Sequence, residues 1–444
     1  MKKITLLFLL LFSTFSLSQC WSKLETGSGH TLGIKTDGTL WATGNNSSGQ
    51  LGVGDFIFRT TFTQVGSGNN LTKIAARDND SAGIKSDGTL WIWGNHLPSN
   101  TPTQIGTATN WKEIAVGNLY FLAVKTDGTL WAWGQNNFSN LGDGTSIARP
   151  NPVQIGTATN WDKVSAGQVS SFAIRTDGSL WSWGGNTYGQ LGHNTTSIYN
   201  VPTQVGLDTN WSEVSAGTGH VIALKSNGTL WSWGANYSGE SGNGIPNSSS
   251  IPVQIGTESD WSKIDAGFIH SMAIKTNGTL WTWGFNNQGR LGDGTTTNRF
   301  APVQIGTAAN WTQVSGGQAY SVALANSSTM YAWGFNGNAF GNGTTDNSLV
   351  PIVVACSALE TIAFSKNECK FYPSPASNQI NLTFENNLEK ASIQVISMVG
   401  QIVYERHNFS GTDSILDVSE LNEGIYILKI FTNDIEITAK FIKN

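Results

Sequence analysis

Three histidines, His30, His220 and His270, fall at one position of a segment that the chain repeats. Three imidazoles gathered at one point would make a metal-ligand set. Other copies carry Asp80, Tyr120, Ser170 and Tyr320 there, so the plainer account is a strand-opening polar residue bonded to neighbouring backbone. A second series is cationic: Lys35, Lys85, Lys125, Arg175, Lys225 and Lys275. As a ring they could attract an anion; the local alternative is solvation, or pairing with the turn aspartate two residues on where one exists. Asp143 and Asp293 sit in Leu-Gly-Asp-Gly-Thr loops that suggest calcium. One carboxylate per loop falls far short of the roughly six to eight oxygens calcium takes. The sequence has no Ser-His-Asp arrangement with motif support and no phosphate loop. The expectation is a non-enzymatic protein with no cofactor and no metal.

What must position these residues is a repeat. Related segments begin at Trp21, Leu71, Trp111, Trp161, Trp211, Trp261 and Trp311, fifty residues apart except that the second unit is ten shorter. A period of this size means one supersecondary unit stacked many times. In the fourth copy, Asp162 to Ala166 reads as a strand, Ser170 to Arg175 as a second, and Leu180 to Trp183 as a third. The Asp177-Gly178 pair between the last two is a hairpin signal, expected as a two-residue type I′ turn. A loop containing Gly189-Gln190-Leu191-Gly192 follows, then a fourth strand opening near Pro202, where proline suits an outer strand. Four antiparallel strands repeated radially describe a β-propeller. Seven copies without capping repeats favour a closed ring over a solenoid. The second blade is expected to have a shortened loop near Asn95 to Thr101.

Composition agrees. Charge is sparse at 12%, glycine numbers 51, and all 18 tryptophans lie between Trp21 and Trp333. The net charge of −5 gives no basic footprint for a nucleic acid. Lys2 and Lys3 followed by the apolar run from Ile4 to Phe12 read as a signal peptide over residues 1–18, too short to stay as a membrane span. No other segment is long and apolar enough to cross a membrane. Acylation of Cys20 is the alternative, although Gln19 is bulky where such signals carry small residues.

Gly217 to His220, Lys225 to Gly228 and Trp231 to Asn236, with the loops Gly49-Gln50-Leu51-Gly52 and Gly189-Gln190-Leu191-Gly192, resemble the repeat of the regulator of chromosome condensation family. The second copy lacks the loop, and the fifth has Gly239-Glu240-Ser241-Gly242. The resemblance covers residues 21 to about 355 and implies a seven-bladed propeller. The family's nucleotide-exchange and chromatin activities are not carried over, because the chain looks exported and lacks a basic tail. A propeller-type inhibitor of β-lactamase is a similar exported relative, and supports protein binding through blade loops.

After Ala355 the composition changes. Residues 357–369 read as a linker, and residues 370–444 as a small β-sandwich with strands at Gln379 to Phe384, Ser392 to Ile396, Ile425 to Ile430 and Ala439 to Lys443. Tyr372, Pro373 and Pro375, Gly400-Gln401, Gly424 and Tyr426, and Lys440 resemble the sorting domain of the type IX secretion system. That implies the secretion machinery as a partner, passage across the outer membrane, and release or surface attachment after the tail is removed. Cys20 and Cys356 flank the repeats, so a closed ring would bring them together. A disulfide between them is expected, with Cys369 left free. Closing so long a loop stabilises by roughly 5–6 kcal/mol, against about 3 for Cys356–Cys369, provided the Cα atoms come within about 7 Å.

Function must lie where the copies differ. The pair before the histidine position and the segment after Trp-Gly vary most, and both link strands at the end opposite the Asp-Gly turns. They supply Tyr120, Phe268, His270, Tyr320, Phe285, Phe335, Tyr188 and Tyr237, with Phe138 alongside. Aromatic loop residues of this kind make interface hot spots. The expected all-β protein, a seven-bladed β-propeller at residues 20–356 with a sorting domain, is a monomer that binds an extracellular protein or glycan. A structural or adhesive spacer without a discrete ligand, and a polysaccharide-active enzyme, are the rival readings.

Overall fold

Each Asp-Gly pair folds as a three-residue loop rather than a two-residue type I′ turn. Gly38 alone takes positive φ, at 82°, while Asp37 does not. Gly38 N donates to Lys35 O at 2.9 Å, and Lys35 N to Thr39 O at 2.9 Å. The reason lies in the side chains: Asp37 Oδ1 accepts from Thr39 N and from its hydroxyl, at 2.9 and 2.6 Å, and Trp41 Nε1 donates to Thr39 Oγ1 at 2.7 Å. The relay recurs with asparagine at Asn227, Thr229 and Trp231. The turn residue is therefore chosen for its acceptor oxygen as well as its conformation.

The computed structural model describes residues 20–67, 70–97, 99–326, 328–355, 369–372, 376–397, 401–431 and 436–443. The signal stretch 1–18, Cys356 and nearly all of the linker lie outside them. The chain divides into two units, Met1–Cys356 and Ser357–Asn444.

The first unit is seven antiparallel four-stranded sheets, each cut from one repeat in sequence order. The first blade is Trp21–Thr26, His30–Lys35, Leu40–Gly44 and Arg59–Gln64. In the second, Leu90–Gly94 runs almost directly into Ser99–Gln104, which is the expected short loop. The ring closes: Leu24 N donates to Gln313 Oε1 at 3.2 Å, and Gln313 Nε2 returns to Leu24 O at 2.7 Å. Thr31 Oγ1 donates to Ala339 O at 2.7 Å across the same junction.

Blades are joined by tryptophan. The opening residues Trp111, Trp161, Trp211, Trp261 and Trp311 are buried, as is the second indole of each Trp-x-Trp pair. Trp161 meets Trp181 edge-on at 5.8 Å. Burying one such ring removes roughly 150–250 Å² from water. The second indole also donates to a backbone carbonyl in the preceding blade. Trp183 Nε1 reaches Asn140 O at 2.9 Å, Trp283 reaches Glu240 O at 2.9 Å, and Trp333 reaches Arg290 O at 2.8 Å. The same carbonyls accept Ser171, Ser271 and Ser321 hydroxyls. Trp133 follows the blade that lacks this loop, and its Nε1 has no partner among the described residues. Phe121 instead stacks flat on it at 5.1 Å, with His96 edge-on to Phe121.

The second unit builds its sandwich from one five-stranded sheet. Gln379–Ser397 is a single 19-residue strand where two were expected. Its register against Ile402–Asp417 shifts between Thr383 and Ile393, so its two halves pair with different neighbours, Cys369–Tyr372 and Gly424–Phe431. Bulges of this sort bend a strand. Ile380, Leu382, Ile393, Val395, Leu428 and Phe441 share one core.

Cys20 is disulfide-bonded. Its expected partner, Cys356, lies outside the described residues, and Cys369 opens the strand Cys369–Tyr372. Non-reducing peptide mapping should recover a Cys20–Cys356 peptide; a Cys20–Cys369 peptide would refute the expected pairing. Trp183→Phe deletes an indole N–H that is bonded, and Trp133→Phe one that is not. The first variant should lose about 1–2 kcal/mol more than the second in denaturant unfolding.

Candidate functional site

Three of the residues expected to face a ligand do not. Tyr120, Tyr320 and His270 are buried. They open the second strand of their blades, and that position points into the next blade. Tyr120 OH donates to Ser170 O at 2.8 Å, and Tyr320 OH to His30 O at 2.6 Å. His270 Nε2 lies 2.8 Å from Ser321 Oγ, and His30 Nε2 lies 2.9 Å from Ser81 Oγ. Burial lowers the His30 and His220 pKa to about 3 and pushes His270 well down, so all three stay neutral. Among the described residues no group of His, Cys, Asp or Glu has the geometry to hold a metal ion. Asp143 is occupied by Thr145 and by an ion pair with Arg149.

The repeated cations stack on indoles. Lys35, Lys85, Lys125, Arg175 and Lys225 lie 3.5–3.9 Å from the ring centroids of Trp41, Trp91, Trp131, Trp181 and Trp231. Such contacts contribute about 0.5–1 kcal/mol each where solvent reaches them. This series braces the blades and forms no anion ring.

The loops after Trp-Gly do present aromatic rings. Phe138, Tyr188, Tyr237 and Phe335 are 46, 40, 69 and 43% exposed. Tyr188 and Tyr237 come from adjacent blades and meet edge-to-face at 6.0 Å. Phe335 and the exposed Phe58, with Asn45, Gln318 and Asn338, line a depression of about 300 Å³ where the seventh blade meets the first. Phe285 is half-buried beside Arg290, 4.8 Å from the guanidinium.

Phe268 is half-buried and lines a larger cavity, of about 750 Å³, on the propeller axis. The first strand of each blade forms its wall. Lys23, Lys73, Glu113, Glu213 and Lys263 hold equivalent places in five of those strands. Lys73 pairs with Glu113. Deeper lie Glu25 and Asp265. Asp265 accepts from Ser215 Oγ at 3.0 Å and Gly316 N at 2.7 Å; burial raises its pKa to about 6. Burial, then the charge of Asp265, pushes Glu25 up to about 8 against the opposing pull of Lys23. Burial also raises Glu213 to about 7. Arg77, at the end nearest Phe268, was not among the residues expected to matter.

In the second unit, Tyr426 is buried, stacks on Phe441 at 5.6 Å and donates its hydroxyl to Asn422 O at 2.9 Å. Gly424 opens the same strand, Gln401 accepts from Ser397 N at 2.8 Å, and Tyr372 is exposed. Pro373, Pro375 and Gly400 lie outside the described residues, as does the side chain of Lys440.

The raised Glu25 pKa has a sign. Unfolded, the carboxyl loses its proton near 4.5; folded, it keeps it to about 8. Stability is therefore full below 4.5 and falls as pH rises through that window. Glu25→Gln should melt with the native chain at pH 4.5 and at least about 3 °C above it at pH 8.5. Coincident melts at both values would show that the carboxyl is not desolvated.

The RCC1-like domain family matches residues 96–376, the regulator of chromosome condensation (RCC1) repeat matches residues 21–50, and the secretion system C-terminal sorting domain matches residues 370–444. No curated protein matches the chain. Among solved structures, human WBSCR16 is similar at 22% identity and TM-score 0.63, over 70% of this chain and 87% of that one. Prp20p from Saccharomyces cerevisiae, described with its binding to Gsp1p and histones, is similar at 23% identity and TM-score 0.62, over 68% and 81%. Yeast RCC1 (Prp20) bound to Kap60 matches at 17% identity and TM-score 0.64, over 80% and 88%. These likenesses establish the fold. With seven blades and a matched domain over more than half its length, the chain belongs to the RCC1-like domain family and carries a C-terminal sorting domain for type IX secretion.

Proposed function

We propose that the propeller is an exported, non-enzymatic binding module that captures a protein or a glycan at the cell surface. Its contact face is the one formed by the loops after Trp-Gly. The observation that carries this is the Tyr188–Tyr237 pair: two large rings from neighbouring blades, in loops where the copies differ, both exposed and set edge-to-face. A scaffold position would repeat around the ring; this pair does not. Tyrosine has only two side-chain torsions to fix on binding, which is what makes it an effective anchor. Phe138 and Phe335 extend the surface to neighbouring and more distant blades.

Export supports the same reading. The sorting domain directs the chain to the type IX machinery, and the function proposed here needs the propeller outside the cell. The signal peptide and the sorting domain are removed on the way, leaving the propeller released or attached to the outer surface. RCC1-like relatives described with protein partners, such as Prp20p, support a propeller face as a protein-docking surface.

The test is capture from native surface material by the immobilised secreted chain. Alanine at Tyr188 and Tyr237 together should weaken capture by at least about 1–2 kcal/mol if the pair is a hot spot, with the thermal melt unchanged. Undiminished capture by the folded variant would move the contact surface to the face bearing the Asp-Gly turns. A chain ending at Ser357 that still reached the surface of its native host would show that the C-terminal domain is not the export signal.

A further inference from the structure

The joint where the seventh blade meets the first is built unlike the others. The loop after Trp333-Gly334 is one residue shorter than its counterpart after Trp283-Gly284, counted to Gly343 and to Gly294. Gly337 and Asn338 take positive φ there, at 45° and 76°. A Cβ on Gly337 would lie 2.8 Å from Cε1 of Phe335. The bare glycine therefore lets the Phe335 ring lie close over the loop backbone. Phe335 N donates to Ala319 O at 2.9 Å, and Asn45 N to Gly29 O at 2.7 Å. Thr43 Oγ1 lies 3.2 Å from Asn338 O, across the joint. The depression between the two blades thus has walls tied by main-chain bonds, and a preformed site loses less on binding than one that must be ordered.

Its lining is of two kinds. Phe335 and Phe58, one from each blade, are exposed rings. Asn45 holds in the first blade the place that Phe335 holds in the seventh, so equivalent positions supply an amide on one side and a ring on the other. Asn45 Oδ1 accepts from Ser47 N at 3.0 Å, which leaves its Nδ2. Gln318 is exposed and held by its carbonyl, which accepts from Arg290 Nη1. Its side-chain amide bonds nothing in the protein among the described residues. Among those residues no charged side chain lines the depression.

These groups suit one chemistry. The face of an aromatic ring carries partial negative charge, and the C–H face of a pyranose presents the complement. A side-chain amide donates and accepts at adjacent atoms, which matches a pair of neighbouring hydroxyls. A charged sugar would leave water with no partner here, and that is costly. The volume, about 300 Å³, lies at the small end of ligand sites and gives room for a single sugar ring.

We propose that the depression between the seventh and first blades binds one uncharged sugar unit of a surface glycan. Phe335 and Phe58 are its apolar platform, and the amides of Gln318 and Asn45 bond its hydroxyls. The proposal deepens the surface-binding reading and rests on it for the class of partner, but it does not use the Tyr188–Tyr237 pair.

Saturation-transfer NMR and titration of the full secreted chain test it, with glucose, galactose, mannose and N-acetylglucosamine as probes and glucuronate and glucosamine as charged controls. At least one uncharged sugar should bind saturably at one site per chain, and the charged controls should bind at least tenfold more weakly. Phe58→Ala with Phe335→Ala should weaken binding at least tenfold and leave the thermal melt unchanged, since both rings are exposed. Gln318→Ala removes an amide that the fold does not use, and should also weaken binding. Tyr188→Ala with Tyr237→Ala should leave sugar binding intact, so a loss of capture in that variant concerns the tyrosine pair and not this site. Absence of saturable binding for all four uncharged sugars, equal binding of the charged controls, or equal binding by the Phe58 and Phe335 variant would overturn the proposal.

Discussion

At five of the seven blade joints a single backbone carbonyl ties one blade to the next. It belongs to the residue before the loop leucine, or its counterpart, and it accepts an indole N–H from the following blade at all five and a serine hydroxyl as well at four, the exception being Gln190, whose next blade carries Val221 in place of the serine. Both donors are buried, so both would be expensive to leave unpaired, and the carbonyl satisfies them at a single point. Gly142 sits beside that point with φ at 78°, and a Cβ there would lie 2.6 Å from Trp183 Nε1. The glycines of the loop are thus needed for closeness as much as for conformation. Because the acceptor is main chain, the side chain at this place is free to vary. Gln50, Asn140, Gln190, Glu240 and Arg290 all serve, which explains how the fifth copy departs from Gly-Gln-Leu-Gly without losing its place in the ring.

The two irregular joints show the same constraint from the other side. After the second blade, where the loop is missing, Trp133 keeps its burial and loses its bond, and a stacked phenylalanine fills the gap. Where the seventh blade meets the first, Thr31 and Thr43 replace serine and tryptophan, and their hydroxyls reach the carbonyls of Ala339 and Asn338. Packing area can substitute for the polar contact, and a smaller polar group can substitute for the indole; neither joint gives up both.

Blade number, strand order and the short second loop were legible in the sequence because repetition states them seven times over. The side-chain roles were harder. Tyr120, Tyr320 and His270 looked like ligand contacts because the copies disagree there, but disagreement also arises where each blade must fit one particular neighbour. Their hydroxyl and imidazole groups end on Ser170, His30 and Ser321, contacts about fifty residues away or across the ring closure. The hairpin type was misread because Asp-Gly was weighed for φ alone, not for the bond its carboxylate makes to Thr39. The sorting domain's first two strands read as separate because Glu385 to Lys390 is polar, while the structure carries one strand through that stretch by shifting register. Arg77 was visible as the one departure from the glycine that ends the first strand in the other six copies; its place on the axial cavity was not, because no single repeat contains the axis.

Each blade is cut from one contiguous stretch, with no strand exchanged between the first and the last. Nearly every pairing in the ring therefore joins residues close in sequence, and the chain can assemble blade by blade as it is made. One event is different in kind. The bond from Thr31 to Tyr320 spans 289 positions, and it forms only when all the intervening blades are in place. The entropy of such a closure grows slowly with loop length, so the seventh blade adds little to the cost. What it decides is timing: local contacts come early and this one last. Until then the first and seventh blades each hold an apolar flank open to solvent, and the unclosed arc, rather than the unfolded chain, is the species that export and proteolysis would meet.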